Sequence, residues 1–216
     1  MTPSTPARCA LILLSLLLAG CLPGLRGETV PIQVVSLNIR IETDPDWPQV
    51  DLALNVRRPQ ADQMLDGFRL LVRQDRHRLL TYPGLAWADT TANLLQAELI
   101  KGLLDSRRFT GGVGRPGEIR AHGTLMSTIR HFELVDDGQG GSHVRLEVSA
   151  RLSRNRDSRQ VAGENFVVIR PVGSTDVAAM LDAYEAALTE LVERMIEWSL
   201  KEAKYQKEKL EAAGMS

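Results

Sequence analysis

Residues 79–109, LLTYPGLAWADTTANLLQAELIKGLLDSRRF, carry a period-two stretch followed directly by a period-3.6 stretch, so they demand a sheet with a helix laid on it. Apolar Leu80 and Tyr82 alternate with more polar neighbours, which predicts a strand. Pro83-Gly84 is expected to end it, since proline fixes φ and glycine tolerates positive φ. Asp89 and Thr90 are N-cap residues whose side-chain oxygens accept the N–H groups that a first helical turn leaves unpaired. Leu94, Leu95, Leu99, Ile100, Leu103 and Leu104 then recur at three- and four-residue steps and form an inward stripe. Glu98 and Lys101 fall on the wet side. Trp87, just ahead of the cap, is predicted to plug the helix entry.

The first residues belong to targeting rather than to the fold. Arg8 supplies the charged start, and residues 9–18 are an apolar run too short for a membrane span, which needs about 20 residues. The run ends in Leu18-Ala19-Gly20-Cys21, which resembles the bacterial lipobox and predicts a signal peptide over 1–20 with acylation of Cys21. The remaining cysteine, Cys9, leaves with the signal, so no disulfide is expected. Leu22 rather than Asp after the cysteine directs such a lipoprotein to the outer membrane, facing the periplasm of a Gram-negative bacterium. Residues 21–28, with Pro23, Gly24 and Gly27, are the lipidated cysteine and a flexible tether. Several acyl chains hold a domain at a membrane firmly where one does not. Losing Arg8 moves the net charge from −1 to −2, which argues against nucleic acid as a partner.

Residues 29–200 are expected to form one domain. Ile32, Val34, then Val35, Leu37, Ile39 and Ile41 predict a first strand with a phase change, and Leu52, Leu54 and Val56 a second. Trp47, between breakers, is expected to cover a sheet edge. Residues 59–66 are a connection or helical turn. Phe68, Leu70 and Val72 face one way in a strand that turns through 74–77 into the Leu80 and Tyr82 strand. In 119–135 the inward parity flips between Leu125 and Phe132, which predicts a bulge or bend within 127–131. Val144, Leu146, Val148, Ala150 and Leu152 are the clearest alternation in the chain, and Val161, Phe166 and Val168 follow a second polar turn. Ser174 and Asp176 open a second helix with Met180, Tyr184, Leu188, Leu191, Val192, Met195 and Ile196 inward. Residues 201–216 are a charged helical extension, read mainly as frayed and solvated.

These elements give an α+β class: a single, mostly antiparallel bulged sheet with two long amphipathic helices, 91–106 and 175–199, packed on one face. The element order allows a parallel pair across the first helix.

The order of residues 65–106 resembles the ABC-type transport auxiliary lipoprotein component family, whose members show Leu-Asp-x-x-Arg, then Trp-Ala-Asp, then a helix opening on Leu-Leu-Gln. Here these are Leu65, Asp66 and Arg69, then Trp87, Ala88 and Asp89, then Leu94, Leu95 and Gln96. Gly123-x-Leu125 and Phe132-Glu133 are similar as well, with extra residues between them. The resemblance implies a tethered accessory lipoprotein. Its partners would be an ABC permease and ATPase and a mammalian-cell-entry-type periplasmic component, which together move phospholipids or other hydrophobic molecules. Arg69, Tyr82, Trp87 and Asp89 are the candidate partner or structural residues.

Catalytic chemistry finds little support. Gly112, Gly114 and Gly117 spell G-x-G-x-x-G, but they follow a helix and lead into a strand, the reverse of a dinucleotide site. His77, His122, His131 and His143 have no helical pairing and no accompanying cysteine or carboxylate pair at ligand spacing, although His122 and His143 lie on neighbouring strands. No G-x-S-x-G elbow or Walker A loop occurs. The expectation is a non-enzymatic binding protein without cofactor or metal. Two rivals are a lipid carrier with its own cavity between sheet and helices, and an envelope-assembly lipoprotein without a transport role.

Overall fold

The structure, a computed structural model, describes residues 31–136, 138–212 and 214. The chain divides into Met1–Ile32 and Gln33–Ser216, and the fold below is that of the second unit. The expected signal peptide, Cys21 and the tether lie outside the described residues.

The organising strand is β7, Gly123–Asp136. Along one side it pairs antiparallel with β8, Ser142–Arg154, which pairs antiparallel with β9, Arg159–Pro171. Along its other side three short strands lie end to end, all parallel to it. β2 (Leu54–Val56) starts opposite Gly123, β3 (Gln60–Ala61) opposite Thr128 and β4 (Arg69–Arg73) reaches Glu133 through Leu71. β5, Leu79–Trp87, is antiparallel to β4 and parallel to β1, Gln33–Val35, while β6, Val113–Gly114, is parallel to β2.

The sheet, nine-stranded among the described residues, is therefore mixed, not mostly antiparallel. Alternation along a strand fixes which side chains face the core and is silent about the direction of the neighbour, and the long excursion between β4 and β7 supplies the crossover a parallel pair needs. The parallel pair that the element order allows across the first helix does not form among the described residues. β5, which feeds that helix, runs against β4 and hence against β7.

Helices α1 (Thr91–Ser106) and α2 (Val177–Ala212) cover one face of the sheet. Beneath them lie Val144, Leu146, Val148, Ala150 and Leu152 of β8, all buried, with Leu125, Ile129, Phe132 and Leu134 of β7. The pairing of β7 with β8 slips between Ile129 and His131, where the parity flip placed a bulge. In α1 the buried face is centred on Ala92, Leu95, Leu99 and Leu103, so the stripe is rotated from the predicted one and Leu104 is half exposed. The α2 stripe from Met180 to Ile196 is buried as its spacing requires, but the helix continues unbroken to Ala212.

Three strand expectations change. β5 runs on through Pro83-Gly84, because its register against β4 jumps from Arg69–Ala86 to Leu71–Thr81 and the extra residues, with Gly84 at φ 71°, are absorbed as a wide bulge. That slip also buries both Leu70 and Leu71 and leaves Phe68 exposed. The first strand ends at Val35. Beyond it Asn38 N–H donates to Glu185 of α2 (2.7 Å) and the Lys101 ammonium of α1 donates to the Ile39 carbonyl (3.0 Å), so this segment crosses the helices.

Candidate functional site

The residues of the 65–96 motif converge at the N-terminus of α1. Thr90 is the N-cap and accepts from Asn93 N–H, while Asp89 accepts from Thr90 N–H (2.7 Å) and the Asn93 amide (2.9 Å). The Arg58 guanidinium, which the sequence did not single out, locks the region. It donates two bonds to Asp66 (2.9 and 2.8 Å), one to Asn93 Oδ1 (2.6 Å) and one to Thr90 Oγ1 (3.1 Å). The Asp66 bonds first, and the Asp89 charge further off, raise the Arg58 pKa above its ordinary value. Thr91 Oγ1 donates to the Leu65 carbonyl, and buried Gln96 donates to the Val56 carbonyl (2.9 Å). Leu65, Asp66, Asp89 and Gln96 thus tie the chain before β4, and β2 itself, to α1. Trp87 is the last residue of β5 and buried to 1% exposure, Tyr82 is partly buried against the core, and Arg69 and Asp89 are exposed.

On the helix side of the sheet Trp87, Phe132 and Tyr184 form an aromatic triangle, with centroids 5.0 Å apart for Trp87–Tyr184 and 5.9 Å for Trp87–Phe132. Trp87 Nε1 and Tyr184 Oη are buried without a hydrogen-bond partner among the described residues. Burial, and then the Glu133 charge, pushes the Tyr184 hydroxyl pKa well up. The other sheet face carries no helix among the described residues. There Glu133, wholly buried, accepts from Arg73 Nε (2.5 Å) and Nη2 (3.0 Å) and sits 2.8 Å from His131 Nδ1. Burial pushes the Glu133 carboxyl up, but the bonds to Arg73 and His131 outweigh it and leave the pKa below the ordinary range.

The remaining feature is a groove of about 830 Å³ at the end of the sheet. Leu52 and Leu54, Phe109, Leu152 and Val161 supply its apolar floor, and the overhanging last turns of α2 supply a wall through Ala203, Lys207 and Leu210. These three stand four and three residues apart, one face of the segment expected to be solvated. Arg120, His122, Arg154 and Arg156 add a basic rim. His122 Nδ1 accepts from Ala53 N–H (2.9 Å), which puts the proton of the neutral ring on Nε2. His143 is paired with Val135 at the far end of the hairpin, so the two histidines do not meet. Among the described residues no three His, Cys, Asp or Glu side chains gather as metal ligands, and no helix is long and apolar enough to cross a membrane.

Fold and surfaces together define an α+β domain with one helix-covered sheet face, one open face and a grooved end. The chain belongs to the ABC-type transport auxiliary lipoprotein component family, whose pattern matches residues 38–196. It is similar to the crystal structure of a Xanthomonas campestris protein of family DUF330, with 30% identity and a TM-score of 0.77 over 82% of this chain and 99% of that one. A crystal structure of an uncharacterized protein shares the fold at 14% identity and a TM-score of 0.57, over 76% of this chain and 97% of that one. No curated protein matches the sequence.

Proposed function

We propose that the protein is an acylated periplasmic lipoprotein, anchored at the outer membrane through Cys21, that serves as a non-catalytic accessory to an ABC transport system with a mammalian-cell-entry-type component. The substrate class is phospholipids or other hydrophobic molecules. The carrying observation is the family match over 38–196, with Leu-Ala-Gly-Cys at 18–21 upstream of it. Its contribution is positional: acyl chains raise the concentration of the domain at the membrane, and the sheet face that carries no helix among the described residues receives the partner. In this reading Trp87, Tyr82 and Asp89 are structural, and exposed Arg69 lies on the surface of the same unit.

The test is affinity isolation from envelope extracts, comparing the native protein with Cys21→Ser. The native form is expected to appear in the outer-membrane fraction and to capture the permease, ATPase and entry-type components from the extract, and Cys21→Ser is expected to lose that fraction. Recovery of no transport component with either form would reject the proposal.

A further inference from the structure

We infer that the groove at the end of the sheet is a binding site for a single-chain anionic amphiphile, with the acyl chain on the apolar floor and the headgroup at Arg120 and Arg156. This goes beyond the accessory role and stands on the groove alone.

The first argument is shape and lining. The groove volume, about 830 Å³, is within the range of small-molecule sites, roughly 300–1,000 Å³, and such sites are mostly apolar with a few placed polar groups. The floor has that character, since core residues Leu54, Phe109 and Leu152 form its base and Leu52 and Val161 beside them are only partly buried. The α2 wall repeats it with Ala203 and Leu210.

The second argument is charge. The whole chain has a net charge of −1, yet the groove is lined by Arg120, Arg154, Arg156 and Lys207 against a single carboxylate, Glu211. Two of these cations are already engaged. Arg154 holds Asp157, whose pKa its hydrogen bonds lower to about 2, and Lys207 stands 3.9 Å from Glu211. Arg120 and Arg156 have no ion pair among the described residues, and both are exposed. An arginine fork suits a carboxylate or a phosphate equally, and the Nε2–H of His122 adds a neutral donor on the same rim. An apolar trough ending in unpaired guanidinium groups therefore selects a molecule that is greasy along its length and negative at its head. A neutral lipid leaves those cations unused.

The full-length protein in nonionic detergent is irradiated with three diazirine-labelled single-chain probes: a fatty acid, a lysophosphatidic acid and a fatty alcohol. The crosslinked peptides are mapped by mass spectrometry. The fatty acid, the lysophosphatidic acid or both are expected to label peptides containing Leu152–Val161 and Ala203–Leu210, and the stronger of the two identifies the headgroup as carboxylate or phosphate. Arg120→Ser with Arg156→Ser should lower anionic labelling there about tenfold, as loss of charge-assisted hydrogen bonds does, with the melting curve unchanged because both side chains are exposed. Leu210→Glu should lower labelling independently, through the α2 wall. Absence of groove labelling by either anionic probe, equal labelling by the alcohol, or labelling that survives both variants would overturn the inference. The envelope isolation described above has no bearing on these outcomes, so either reading can fail alone.

Discussion

Arg73 and Glu133, sixty positions apart, join β4 to β7 through a two-pronged bond on the open face of the sheet, and Glu133 has no solvent exposure at all. Removing one partner of a buried pair leaves an uncompensated charge, which costs about 3–5 kcal/mol. Arg73 is 26% exposed and His131 remains beside Glu133, so Arg73→Met should fall at the low end, about 3 kcal/mol. Arg73→Met with Glu133→Leu should recover most of the loss, since neither charge then needs a partner. Urea unfolding of the three proteins checks this, and a cost below about 1 kcal/mol for Arg73→Met alone would show that the pair is not what holds β4.

The same pair sets an acid limb. The folded-state pKa of Glu133 is below that of an unfolded glutamate, about 4.3, so the unfolded chain binds the proton more readily. The stabilisation is complete above the unfolded value and is lost as pH falls through the folded one. Stability of the native protein should therefore drop more steeply from about pH 5 to pH 3 than that of Glu133→Gln. Parallel slopes in pH-dependent melts would contradict it.

Tyr184 presents the opposite case, a buried hydroxyl with no partner among the described residues, beside Trp87 and Phe132. Its ring fills the core, while its oxygen is desolvated without return. Tyr184→Phe should be neutral or stabilising by up to about 1 kcal/mol, whereas Tyr184→Ala should cost about 3–5 kcal/mol. A Phe variant that melts well below the native protein would mean that the hydroxyl is bonded in solution.

What the sequence disclosed is what short-range chemistry controls. Thr90 as a cap and leucines at helical spacing bounded α1, alternation from Val144 to Leu152 marked β8, and the parity flip located the slip at Ile129–His131. Pairing direction was not readable, because β2, β3 and β4 become parallel to β7 only through what happens between residues 74 and 122. Pro83-Gly84 misled for a related reason: a breaker ends a strand unless the partner's register absorbs it, and β4 does. Arg58 was missed because its importance lies in meeting Asp66, Thr90 and Asn93 at once. The groove was missed because its walls come from the ends of separate elements and from a helix expected to fray.

That Arg58 junction makes its own prediction. Arg58→Ala removes four bonds from a partly exposed guanidinium, so about 1–2 kcal/mol should be lost, and Thr90→Ala should cost about 1 kcal/mol as an N-cap. Because the two side chains bond each other, the double variant should cost less than the sum by about 0.5 kcal/mol or more. Strict additivity in a double-mutant cycle would deny the coupling.

Gly111 governs how closely the segment after α1 approaches the segment before β2. A Cβ there would lie 2.5 Å from the Leu52 carbonyl carbon, 2.6 Å from Ala53 N and 2.7 Å from the Leu52 oxygen. These are backbone atoms, which cannot rotate aside as a side chain can. They are also held in place, since Gly111 N–H donates to the Leu52 carbonyl (3.2 Å), Leu54 N–H to the Gly112 carbonyl (2.9 Å) and Thr110 N–H to the Val50 carbonyl (3.0 Å). Gly111→Ala must push the two segments apart and break part of this ladder, so its cost should exceed the roughly 1–3 kcal/mol of ordinary overpacking. The displaced residues include Leu52 and lie next to Phe109, both part of the groove floor. Thermal melts and probe labelling should therefore fall together in Gly111→Ala, while Arg120→Ser with Arg156→Ser should lower labelling alone. A Gly111→Ala protein with native stability would show that the two backbones stand farther apart than 2.5 Å from that Cβ allows.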